Sequence, residues 1–217
     1  MIDDEIQSLM RRYTWDIVLR ESIPDHNLLQ GTLSFKCKSK PDWKIRKFKA
    51  QYCVIGDFQK RLSPEPLNSY SPVVQWATVR LIFIFQCILG FQSQIIYFAN
   101  AFYQEDIPSG GPVFIKLPRD YNIDGVKCDV VIRLNKSLYG QAKAARLWYE
   151  KLQFFLLERG FGMSKVDTCL FMSKTVICVV CVDDCIFWAC SQSEIDNVMK
   201  YLKEDGPSYN LYKSRVG

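Results

Sequence analysis

One stretch constrains the fold of this chain more than any other. Val176-Ile177-Cys178-Val179-Val180-Cys181-Val182-Asp183-Asp184-Cys185-Ile186 carries an almost unbroken apolar, β-branched run into two adjacent carboxylates, then turns apolar again through Phe187 and Trp188. Continuous Val/Ile/Cys runs predict a strand buried on both faces. Asp-Asp between two such runs predicts the turn of a β-hairpin. A turn needs neither carboxylate, and like charges side by side are mildly unfavourable. Two readings follow: a solvated hairpin tip, or a pair that holds a divalent cation.

At 217 residues the chain fits one domain, or one domain with two lobes, with length enough to bury a core. A net charge of +5 is modest, so any affinity for nucleic acid must come from a local patch. The strongest apolar stretch, Leu81 to Phe85, is bounded by Arg80 and Gln86 and falls far short of a membrane span. The acidic start, Met-Ile-Asp-Asp-Glu, is unlike a signal peptide. Nine cysteines is an odd number, and Cys87, Cys178, Cys181 and Cys185 sit inside apolar runs. That pattern predicts reduced, buried thiols in a cytoplasmic or nuclear protein rather than a disulfide framework. Cys178, Cys181 and Cys185 lie along a strand whose alternate side chains face opposite ways, and the only histidine, His26, is distant. Both points disfavour a structural zinc site.

Ile6, Met10 and Tyr13 recur at helical spacing and predict a helix within residues 1–20. Pro24 marks a loop, and Leu33 to Cys37 a strand. Lys36, Lys38, Lys40, Lys44, Arg46, Lys47 and Lys49 then put seven basic residues in fourteen positions, opposed only by Asp42 and interleaved with Trp43 and Phe48. With Pro41-Asp42 as a turn this is a basic hairpin, either a solvated charged face or a phosphate-binding arm. Ser63-Pro64-Glu65-Pro66 reads as an extended linker. A helix is predicted from about Val73 to Leu89, stopped by Gly90, and apolar on nearly every side, hence deeply buried. A strand follows at about Ser93–Phe98, and Asn100 to Gln104 turn away from it. Pro108 to Pro112 form a turn between that segment and two strands of one sheet, Val113–Leu117 and Val130–Leu134. A second helix, Ala142 to Arg159, carries Trp148, Leu152, Phe155 and Leu156 as its stripe. After the hairpin, Ser191-Gln192-Ser193-Glu194 is a capping box opening a last helix with Ile195, Val198, Met199 and Leu202 inward. No further core element is predicted beyond it.

In this order the segments resemble the reverse transcriptase domain of copia-type long-terminal-repeat retrotransposons. The resemblance rests on Phe48-Lys49-Ala50-Gln51-Tyr52-Cys53-Val54-Ile55-Gly56-Asp57, on Tyr70 to Arg80, and on Ser137-Leu138-Tyr139-Gly140 with Ala145-Arg146-Leu147-Trp148-Tyr149. Asp167-Thr168-Cys169-Leu170-Phe171 and Cys181-Val182-Asp183-Asp184 complete it. It covers about residues 5–204 and implies an α+β fold of polymerase fingers and palm, an antiparallel sheet packed by helices. About 5–70 would be fingers-like with the basic arm, about 71–204 palm with interleaved fingers helices, and 205–217 a truncated tail without a thumb.

The resemblance further implies that Asp183 and Asp184 are catalytic and bind metal. Two Mg²⁺ ions would serve attack of a primer hydroxyl on a deoxynucleoside triphosphate, opposite an RNA or DNA template. Lys44, Arg46, Lys47, Lys49, Tyr139, Gly140 and Arg146 would contact nucleotide or nucleic acid. Ribonuclease H and integrase, which accompany this domain in the family's polyproteins, have no counterpart here. Three residues depart from the family pattern. In Tyr97-Phe98-Ala99-Asn100-Ala101-Phe102, Tyr97 stands where a metal-bridging Asp belongs, and Glu105 and Asp106 are too far downstream to replace it. Cys181 replaces a Tyr, and Gln51 an Arg. The site is therefore incomplete, and the expectation is a degenerate, inactive copy. The alternative is a non-catalytic nucleic-acid-binding module or structural remnant on the palm fold.

Overall fold

The computed structural model describes residues 2–23, 28–40, 42–56, 69–98, 101–104, 112–118, 129–205, 207 and 210–211. The expected loop around Pro24, the Ser63–Pro66 linker, most of the turn at 108–112, and Glu105 and Asp106 lie outside the described residues. The architecture is α+β, in two compact units. One joins Met1–Ser69 to Glu105–Ala144; the other joins Tyr70–Gln104 to Ala145–Gly217.

In the first unit, helix α1 (Ile2–Arg11) buries Ile6 and Leu9. The short helix expected within residues 1–20 is this one, but Met10 and Tyr13 are exposed rather than part of its buried face. Tyr13 adopts a left-handed φ of 52°, and the amides of Tyr13 and Thr14 close the last turn on the carbonyls of Met10 and Leu9. Beyond that break, Trp-Asp-Ile-Val-Leu forms strand β1 (Trp15–Leu19). Its partner outweighs the helical spacing: β7 (Val130–Leu134) pairs with it antiparallel, Trp15 opposite Leu134. Strand β6 (Val113–Ile115) lies on the other side of β7, and β2 (Leu28–Leu29) runs parallel to β6, giving the order β1-β7-β6-β2. A separate hairpin, β3 (Gly31–Ser39) and β4 (Ile45–Val54), carries the basic residues. Its base is anchored where Tyr52, fully buried, meets Trp15 edge-on at 6.0 Å and donates to the Lys116 carbonyl.

The second unit is built on one antiparallel sheet. Its strands are β5 (Gln92–Tyr97), β8 (Gly162–Met163), β9 (Leu170–Met172), β10 (Val176–Cys181), β11 (Asp184–Ala189) and β12 (Asn210–Leu211), in the order β12-β5-β11-β10-β9-β8. Strand β12 was not expected; two residues suffice because they add to the edge of β5, Asn210 opposite Tyr97.

Helix α2 (Trp76–Leu89) packs through Ile82 on Val179 and Trp188, and Gly90 stops it at φ 69°, its amide on the Gln86 carbonyl. Deep burial of α2 is corrected by the structure: Ile82 is its only buried residue, while Trp76, Leu81, Ile84, Ile88 and Leu89 are exposed. One face meets the sheet, and apolarity on the others does not bring a partner with it. Helix α3 (Ala144–Glu158) buries Trp148, Leu152, Phe155 and Leu156. Helix α4 (Gln192–Asp205) packs on β5 and β11 and opens as the capping box predicts, the Ser191 amide and hydroxyl both donating to the Glu194 carboxylate at 3.1 Å. None of the eight described cysteines is in a disulfide; Cys178 and Cys185 are buried as expected, but Cys87 and Cys181 are exposed.

Candidate functional site

The hairpin β10–β11 forms, with Cys181 opposite Asp184, Val180 opposite Cys185 and Val179 opposite Ile186, but its turn falls one residue before the expected Asp-Asp, because Asp184 pairs as the first residue of β11. Its two-residue turn is Val182-Asp183, and Val182 sits at φ 55°. A β-branched residue in left-handed backbone costs on the order of 1–3 kcal/mol and persists only where its surroundings over-determine it. Here both turn carbonyls are held: that of Val182 accepts from the Trp148 indole at 2.8 Å, and that of Asp183 from the Phe98 amide at 2.8 Å. The Trp148 and Phe98 rings meet edge-on at 5.0 Å. The turn is pinned from helix α3 and from the end of β5, so its carboxylates are presented rigidly.

Strand β5 pairs with β11 so that Tyr97 lies directly opposite Asp184. Cross-strand partners share a face, so Cys181, Asp184 and Tyr97 form one row across three strands. Along the same face α2 covers Val179, Ile186 and Trp188, leaving the row uncovered at the hairpin end. Burial raises the Asp184 carboxyl above the usual carboxylate range. Burial first, and then the neighbouring Asp184 and Cys185, raise the Cys181 thiol. Among the described residues no three of His, Cys, Asp or Glu converge as a metal-ligand group. Two carboxylates beside a phenol, neutral at pH 7, do not make the bridged anionic set that two hard cations need.

The remaining expected residues are distributed over both units. Arg146 is on α3, in the unit that holds the hairpin, and pairs with Glu150 at 2.6 Å one turn on. Tyr139 and Gly140 are in the first unit, where the Val54 amide donates to the Tyr139 carbonyl at 2.7 Å. Gly140 has φ 86°, and a Cβ there would fall 2.0 Å from the Val54 carbonyl oxygen, so backbone contact alone demands glycine at this position. Arg46, Lys47 and Lys49 lie on β4 and Lys44 just precedes it, all in the first unit. The β3–β4 register sets Lys36 against Lys49 and Lys38 against Lys47, gathering four lysines on one face. Phe35, Cys37 and Phe48 take the other face, and Trp43, at φ 62°, is 89% exposed at the tip.

Two residues act in ways the sequence motifs did not announce. Asp167, buried, accepts from the Gln75 amide (3.0 Å) and Thr78 hydroxyl (2.6 Å) at the start of α2, and from the Cys169 amide (3.0 Å). Trp148 supplies the turn contact described above. Both belong to motifs noticed in the sequence, but only their partners, far away along the chain, reveal what they hold.

The family described as reverse transcriptase (RNA-dependent DNA polymerase) matches residues 12–210. A retrovirus-related Pol polyprotein from transposon TNT 1-94 of Nicotiana tabacum is 27% identical over 188 residues, 84% of this chain and 14% of that protein. One from transposon RE1 of Arabidopsis thaliana is 27% identical over 205 residues, covering 92% and 14%. The transposon Ty1-ER2 Gag-Pol polyprotein of Saccharomyces cerevisiae is 24% identical over 210 residues, covering 92% and 11%. The chain thus spans 14% or less of the length of these relatives.

Proposed function

Since the chain belongs to the reverse transcriptase (RNA-dependent DNA polymerase) family, of the copia-type retrotransposon kind, we propose that it is a fingers-and-palm portion whose polymerase site is impaired. In this reading about 5–70 are fingers-like and about 71–204 belong to the palm with interleaved fingers helices. Asp183 and Asp184 are the palm carboxylates, and deoxynucleoside triphosphates and an RNA or DNA template-primer are the ancestral ligands. One observation carries the impairment: Tyr97 lies opposite Asp184 on the exposed end of the sheet face. A phenol at that position withholds an anionic oxygen, and its ring takes up space beside the carboxylates. Mg²⁺ remains the cation such a site would recruit, but the donor set present does not accommodate the pair. Cys181, opposite Asp184, presents a small thiol where the family pattern has a large aromatic surface.

The test is primer extension by the full chain on poly(rA)–oligo(dT) with Mg²⁺ or Mn²⁺. Extension no faster than that of Asp183→Ala is expected. Extension well above that control would overturn the impairment. Tyr97→Asp is the complement, because restored extension would trace the loss to this one residue.

The lysine face of the β3–β4 arm favours a second reading, in which the chain binds nucleic acid without polymerising. Four lysines in cross-strand register repel one another, and a polyanion relieves that repulsion. Lys44, Arg46, Lys47 and Lys49 are then binding residues, as Arg146, Tyr139 and Gly140 are in the polymerase reading.

A further inference from the structure

The second unit holds a cavity that the polymerase reading does not use. About 230 Å³ opens between the end of α3, the turn from β9 to β10, and α4. Alternation along β10 sets Val176, in its wall, on the sheet face opposite Val179 and Cys181, so the cavity lies away from the carboxylate row. Phe155, Phe161 and Val176, all buried, give it an apolar floor. Thr175, Asn197 and Tyr201, all exposed, give it a polar rim. The turn is tied, because the Ser173 hydroxyl accepts from the Val176 amide at 3.0 Å and donates to the Val176 carbonyl at 3.2 Å. Arg159 brings a positive charge, its guanidinium carbon 5.6 Å from the centre of the Phe155 ring and 5.4 Å from that of Tyr201.

We propose that this cavity binds a small monocarboxylate built on a single ring, the ring on the apolar floor and the carboxylate on Arg159. Size sets the ring count. The space is below the roughly 300–1,000 Å³ of pockets for drug-sized ligands and above the ~150 Å³ that holds one benzene. Arg159 sets the sign of the charge. A guanidinium presents its N–H donors in a planar fork that matches a carboxylate. Two aromatic rings already hold this one, so little side-chain freedom is lost when a ligand arrives. Glu194 sets the number of charges. Its carboxylate also lines the cavity while accepting from Ser191, and it disfavours the second negative charge that a phosphate ester would bring. The hydroxyls and amide of the rim suit a hydroxyl substituent on the ring. No residue of the polymerase reading takes part, so the inference stands or falls apart from it.

Titration of the full chain with millimolar benzoate and 4-hydroxybenzoate, followed by ligand-observed NMR, tests it. Saturable binding of both is expected, each displacing the other. Benzamide, which keeps the ring and drops the charge, should bind at least about tenfold more weakly. Arg159→Gln should weaken benzoate by a similar factor with unchanged circular dichroism. Asn197→Trp leaves Arg159 in place but crowds the exposed rim, and it should also weaken binding. Lys174→Gln, on the same turn but outside the lining, should leave binding intact. Absence of binding, or benzamide binding as tightly as benzoate, overturns the proposal. So does binding that survives both Arg159→Gln and Asn197→Trp, or that Lys174→Gln weakens equally. Phenyl phosphate binding more tightly than benzoate overturns the choice of a monocarboxylate.

Discussion

Asp167 does for α2 what the helix's own N-cap does not. Gln75, at that position, makes no side-chain cap bond, and the Asp167 carboxylate reaches across 92 residues of sequence to take its amide. Asp167→Ala would leave the Gln75 and Cys169 amides unmet in a largely buried setting. A loss of about 2–3 kcal/mol in urea unfolding is expected, with Asp167→Asn recovering part of it. No local pattern marks this role, because Asp-Thr-Cys looks the same whether its carboxylate faces water or a distant helix end. Asp184 is the opposite case, proposed as a site residue from the sequence alone. Burial raises its carboxyl, so the folded protein binds that proton more tightly than the unfolded chain does. Its contribution to stability is therefore fullest below the ordinary carboxylate value and is lost as pH rises through the raised folded value. Asp184→Asn should remove that fall, giving a flatter unfolding free energy across the acid range; parallel curves for parent and variant would contradict the assignment.

Among the elements, the β10–β11 hairpin was the most legible, because an apolar β-branched run broken by Asp-Asp has few other ways to fold. Its strain was not legible. That Val182 rather than a glycine takes φ 55° follows from the two carbonyl contacts, and the Trp148 indole is one of them. Trp148→Phe keeps the ring but drops that donor; a loss of about 1 kcal/mol and faster amide exchange in the turn are expected. Val182→Gly removes the strain and should stabilise by a similar amount, about 1 kcal/mol. Strand β1 escaped the sequence because helical spacing ran up to Tyr13, and nothing local says that Val130–Leu134 will pair with Trp15–Leu19. The exposure of α2 escaped for a related reason: apolar composition tells what a helix can bury, not what arrives to bury it.

At the scale of the whole molecule, family and order of motifs were readable across about 200 residues, and the comparisons agree. The return of 105–144 to the first unit was not readable, since it depends on β6 and β7 closing a sheet with β1 and β2. The arm in that unit gathers four lysines on one face. If its four lysines each displace a counterion from a duplex, binding of a labelled oligonucleotide should fall with salt at a log–log slope of about −3 to −4. Lys38→Glu, opposite Lys47, should lower that slope while relieving repulsion within the arm. Binding that ignores salt would remove the arm from the nucleic-acid reading. The chain crosses between its two units three times, after Ser69, Gln104 and Ala144. For a ribosome that has a temporal meaning. The first unit cannot be completed until residue 144 has emerged, and by then α2 and β5 have already been synthesised, with most of their sheet still to be translated. Their apolar surface waits through that interval, and a chaperone that shelters nascent chains would find its longest-lived target there.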